Sequence, residues 1–118
     1  MANCALLEIQ HVLGKKWTIL ILQELYHNEK RNFNQLSGRL KHATNRVLSM
    51  RLQELETDGL LQKKIIREIP RAVEYQLTEK GTGVMQIFDG MKKWGTEGKL
   101  VPRMCSKTNC MECERSCC

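Results

Sequence analysis

Cysteine is nearly missing from the first hundred residues of this chain, where Cys4 stands alone. That scarcity excludes a disulfide scaffold, whose bridges would tie the whole fold together. Proline occurs only twice and aromatic residues make up 5%. No apolar run is longer than four residues, as in Ile19–Leu22. A membrane-crossing helix needs about 20. No basic-then-apolar leader opens the chain, so a cytoplasmic protein with no membrane partner is expected. With 118 residues, 42% of them apolar and 27% charged, the chain suits one small folded domain and not a large cofactor-binding enzyme. No nucleophile–base pair, paired carboxylates or phosphate-cradling glycine loop stands out, so no enzyme is expected.

What is present is unevenly placed. The net charge is +6, and the segment from Lys30 to Arg71 holds ten basic residues against four acids. The remainder balances at nine against nine. A local basic excess on a small domain is the electrostatic footprint of nucleic-acid binding. Five of the six cysteines fall in the last fourteen residues. Two units are therefore expected, a domain over 1–100 and a cysteine-rich tail over 101–118.

Apolar spacing predicts helices over 5–13 and 16–27. Asn32 and Gln35 have the form of a capped start, predicting a helix near 33–40. Thr44 reads as the N-cap of a helix over 45–57 with Leu48, Leu52 and Leu55 inward, and Asp58-Gly59 closes it. Residues 60–67 and 72–77 shift to β-type composition, joined by Arg67-Glu68-Ile69-Pro70-Arg71 as a hairpin with a basic tip. Thr78 caps a last helix over 79–96. Gly81, Gly83 and Gly90 each cost that helix about 1 kcal/mol against alanine, so it needs a partner surface.

This order of elements is a winged helix-turn-helix, mainly α with a small β-hairpin wing. The second helix of such a motif enters the DNA major groove. With its leucines inward, Arg46, Ser49 and Met50 point outward, Thr44 and Asn45 lead, and Arg51 faces bases or phosphate. Arginine forks onto guanine, asparagine onto adenine, and serine or methionine meets a thymine methyl. Arg67 and Arg71 on the wing suit phosphates or the minor groove.

Three segments resemble the HxlR-type transcriptional regulators, a winged-helix group near the MarR regulators: Gly14–Leu22, Arg46–Leu60 and Val73–Gly81. The resemblance spans residues 4 to about 97. It implies a homodimer joined through the first and last helices and bound to an inverted-repeat operator on double-stranded DNA. The family pattern often has a cysteine shortly before its Gly-Lys-Trp segment, and Cys4 stands at that place, thirteen residues before Trp17. In several members this thiol senses oxidants or electrophiles, which implies a redox role for Cys4. A small buried apolar cysteine is the plainer alternative. The proline usual after that cysteine is Ala5 here. The tail has no counterpart in the family pattern.

The tail spacing is C-x4-C-x2-C-x3-C-C. Cys105, Cys110, Cys113 and Cys117 supply four thiolates within thirteen residues, a donor set for tetrahedral zinc or for an iron–sulfur cluster. Cys118 is spare or competes with Cys117. Thiol–disulfide exchange among near neighbours is a second reading, and an idle reduced tail a third. His11, His27 and His42 have no second ligand at metal spacing. The expected function is a dimeric sequence-specific regulator whose DNA affinity responds to redox state or metal through the tail and Cys4. The alternative is a winged-helix protein-docking scaffold carrying a metal or iron–sulfur electron-transfer tail.

Overall fold

The computed structural model describes residues 4–100. The expected winged helix is observed. Helices α1 (Ala5–Leu13) and α2 (Thr18–Asn28) lead into a short strand β1 (Lys30–Asn32). The helix-turn-helix pair is α3 (Phe33–Arg39) and α4 (Asn45–Thr57), followed by strands β2 (Leu61–Glu68) and β3 (Arg71–Leu77). Helices α5 (Glu79–Gly83) and α6 (Met85–Glu97) complete the described chain.

One apolar cluster unites these elements. Ile21, Leu22 and Leu25 of α2 meet Leu36 and Leu40 around α3, and Leu48, Leu52 and Leu55 of α4. Leu60, Leu61, Val84, Met85 and Phe88 close the far side. Full burial of each such leucine contributes roughly 1.5–3 kcal/mol. The helix starts are set locally. Asn32 and Gln35 form a reciprocal capping box at α3, and Thr44 Oγ1 accepts from Val47 N at 3.2 Å at α4. Each cap is worth about 1 kcal/mol. At the end of α4, Gly59 has φ +78°. Leu60 N then donates to Leu55 O at 2.9 Å and Gly59 N to Glu56 O at 3.1 Å. This pair of bonds turns the chain sharply into the wing.

Outside the wing, three features differ from expectation. Helix α2 begins at Thr18, because Trp17 takes a left-handed φ of 76°. Strand β1 was not expected: it is three polar residues, too short to show alternation, and it exists because the edge of β3 supplies its hydrogen bonds, with Arg31 opposite Tyr75. The sheet order is β1-β3-β2, antiparallel throughout. The last helix is two segments that meet at Val84. Gly81 explains why glycine is needed there. A Cβ on it would sit 2.0 Å from Leu60 O, so only glycine lets α5 press against the α4–β2 turn.

A buried carboxylate organises the side facing β1. Glu24 is fully buried on α2. Its Oε1 lies 3.3 Å from Arg31 Nε on β1 and 3.4 Å from Arg39 Nε on α3. The same oxygen accepts from Asn28 Nδ2 at 3.0 Å. One acid thus draws α2, β1 and α3 together.

Candidate nucleic-acid interface

The outward face of α4 carries the chemistry expected of a reading helix. Arg46, Ser49 and Gln53 are exposed, and Met50 is 45% exposed, while Leu48, Leu52 and Leu55 are buried on the opposite side. The leading residues are partly committed to the fold. Thr44 spends its hydroxyl on the cap. Asn45 Oδ1 accepts from Ser37 Oγ at 3.0 Å, which ties the N-terminus of α4 to α3. Arg51 stands apart from the outward face. Its Nε donates to Lys16 O at 2.9 Å and its other arm to Glu54 Oε1 at 2.8 Å. Glu54 also accepts from Lys15. Arg51 thus ties α4 to the segment before α2.

Lysine and arginine beside Glu54 hold its carboxyl below the usual carboxylate range, the Lys15 hydrogen bond being the largest cause. This cluster joins the α1–α2 joint to the reading helix. It lies along an open groove between α1 and α4 that His11, Met50 and Thr57 also line. Sequence reasoning missed the cluster, although the three-residue spacing of Arg51 and Glu54 on one helix is a signal for their pairing.

On the wing, the strands run further than expected and leave only Ile69 and Pro70 as the turn. A bulge between Ile65 and Arg67 shifts the register of β2 on β3, and such a bulge re-aims the residues beyond it. Lys63, Lys64 and Arg67 are exposed. Arg67 Nε donates to Pro70 O at 3.1 Å, so this guanidinium folds back over the turn. Arg71 opens β3 opposite Glu68; its side chain lies outside what the structure describes.

Cys4 is the N-terminal flank of α1, exposed and with a free thiol. It is not a buried apolar cysteine. Cys105, Cys110, Cys113, Cys117 and Cys118 lie outside the described residues. Among the described residues, no group of three or more histidine, cysteine or carboxylate side chains is placed to hold a metal. No helix among them is long and apolar enough to cross a membrane.

A family model described as HxlR-like helix-turn-helix matches residues 12–101. The chain belongs to the HxlR-like helix-turn-helix family. The HTH-type transcriptional regulator YvaP of Bacillus subtilis is 38% identical over 86 residues, covering 73% of this chain and 79% of YvaP. The reduced transcriptional regulator YodB from Bacillus subtilis superposes with a TM-score of 0.73 at 29% identity, over 82% of this chain and 94% of YodB. The redox regulator HypR in its oxidised form gives 0.65 at 33% identity, over 80% and 96%. As an HxlR-like protein the chain is a DNA-binding transcriptional regulator and not an enzyme.

Proposed function

We propose that the chain acts in the cytoplasm as a homodimer on an inverted-repeat operator, and that thiol chemistry or metal binding sets its DNA affinity. The observation that carries the DNA reading is the outward face of α4, where Arg46, Ser49 and Met50 stand exposed on a helix whose other side is wholly committed to the core. Arg46 would read bases. Thr44 and Asn45 would position the helix end. Arg67 and Arg71 would meet backbone or minor groove from the wing. Arg51 would hold the reading helix to the α1–α2 joint.

Homodimerisation is supported by apolar surface on both terminal helices. Helix α1 buries no residue, and Leu6, Leu7 and Ile9 are 76%, 55% and 48% exposed. On α6, Ile87, Met91 and Trp94 are 48%, 49% and 68% exposed. Surface of this kind marks a protein contact, and a two-fold dimer covers both faces with one operation.

Redox response is supported by the exposed Cys4 thiol and by relatives solved as reduced, diamide-treated and quinone-bound YodB and as oxidised HypR. For the tail, Cys105, Cys110, Cys113 and Cys117 would hold zinc or an iron–sulfur cluster, which would clip the tail or make it redox-active. Metal, acid-labile sulfide and free-thiol analysis of protein purified without oxygen tests that part.

The deciding experiment for the DNA reading uses duplexes selected by the full-length chain from a randomised pool. Arg46→Ala is expected to relax base preference at one position per half-site, at a cost of about 1–3 kcal/mol. Arg46→Ala that binds selected and scrambled duplexes just as wild type does would remove Arg46 from base reading.

A further inference from the structure

The wing differs from a simple basic hairpin at its crown. Ile69 is 92% exposed, the most exposed large apolar side chain among the described residues. It occupies the two-residue turn with Pro70, closed by the Glu68–Arg71 pair. Arg67 does not lead this tip, because its guanidinium donates back to Pro70 O at 3.1 Å. Ile69 thus stands at this turn as an aliphatic side chain almost wholly in solvent. The strand behind it is basic, with Lys63, Lys64 and Arg67 all exposed. An exposed isoleucine at the turn of a strand that carries exposed cations suits a polyanion with an apolar recess, and the DNA minor groove, walled by sugars between two phosphate rows, has that character.

The reach is adequate. Leu61 at the base of β2 is buried, and β2 runs on to Glu68. Seven steps of about 3.3 Å place the tip roughly 23 Å beyond the base. Half a turn of duplex, the offset from a major groove to the next minor groove, is about 17 Å.

We infer that Ile69 is a specificity-determining residue that selects A·T over G·C pairs in the minor groove flanking each major-groove half-site. In that groove A·T and T·A present only acceptors, whereas G·C adds the guanine N2 amino group. An isoleucine side chain has no acceptor to offer. Seated over guanine, it strips water from that amino group and returns nothing, leaving a donor unsatisfied. Seated over A·T, it strips water from the acceptors alone, so G·C leaves one more group unsatisfied than A·T does. The discrimination is by exclusion, so Ile69 needs no hydrogen bond to read sequence.

The inference rests on the wing lying against DNA as proposed above. Its test uses the full chain and one selected duplex in three versions, with the flanking pairs written as A·T, G·C or hypoxanthine·cytosine. The last has the G·C shape but no minor-groove amino group. Wild type is expected to bind the G·C version about fivefold more weakly than A·T, and hypoxanthine·cytosine like A·T. Ile69→Ser is expected to level all three while keeping the thermal midpoint of wild type, since the side chain is nearly all in solvent. If hypoxanthine·cytosine binds as poorly as G·C, or if Ile69→Ser keeps the preference, the inference is overturned and the wing reading stands. Wild type that binds every flank alike also overturns it. Wild type that binds no duplex at low salt overturns the DNA-wing reading, and the inference falls with it.

Discussion

Helices α4 and α6 are both thirteen residues long, and both carry an apolar stripe, but they complete it differently. In α4 the stripe of Leu48, Leu52 and Leu55 is wholly buried within the chain. In α6, Met85 and Phe88 are buried, while Ile87, Met91 and Trp94 on another side remain in solvent. The first pattern belongs to an element that a single chain can finish. The second belongs to one that has apolar surface left over after the fold is made. The difference separates a helix whose apolar stripe is completed within the chain from one that keeps apolar side chains in solvent.

The comparison is most sharply broken at α4. Leu52→Ala removes a fully packed side chain and is expected to cost about 2–5 kcal/mol of folding stability, measured by urea unfolding. A loss below about 1 kcal/mol would mean that α4 is not part of the cooperative core. On α6 the expected effect is of another kind. Trp94→Ser should leave the protomer folded and weaken self-association by about 2 kcal/mol, seen as a shift toward monomer mass in sedimentation at micromolar protein. Unchanged mass at every concentration would separate Trp94 from any dimer contact.

The smallest effect is expected where α4 is tied to the α1–α2 joint. Glu54 is held below its ordinary range by Lys15 first and Arg51 after it. A carboxyl lowered in the folded state contributes stability above its unfolded value, near 4.3, and loses it as pH falls through the folded value. The exposure of this cluster limits its contribution to under about 1 kcal/mol. Glu54→Gln should therefore lower the urea midpoint slightly at pH 7 and match wild type in strong acid. A difference that persists undiminished at low pH would assign the effect to packing and not to the charge.

Much of this architecture is legible in the residues alone. Asn32 with Gln35, Thr44, Gly59 and Thr78 are local signals, each satisfying backbone groups within a few positions, and each sits where its chemistry predicts. The features that escaped are non-local. Lys30-Arg31-Asn32 becomes a strand only because β3 lies beside it. The last helix divides at Val84, and Gly81 packs against Leu60 O from about twenty positions earlier in the chain. The bond from Arg51 to Lys16 O joins residues 35 positions apart, a pairing that local spacing does not show. The isoleucine at the crown of the wing went unweighted for another reason: charge was sought there, and hairpin ends are read for their cations.

Glu24 has a consequence for how the molecule meets its polyanionic partner. Together Arg31 and Arg39 account for two of the ten cations in the basic segment, yet both sit within 3.4 Å of that one buried carboxylate. In effect the fold carries its own counterion inside. A duplex releases mobile salt ions only from cations left open to solvent, a set that includes Arg46, Lys63 and Lys64 but not the carboxylate-bound pair. Ion release on binding, and with it the steepness of the salt dependence, is thus set by the surface that remains after Glu24 has taken its share, and falls short of what the sum of lysines and arginines in this segment suggests.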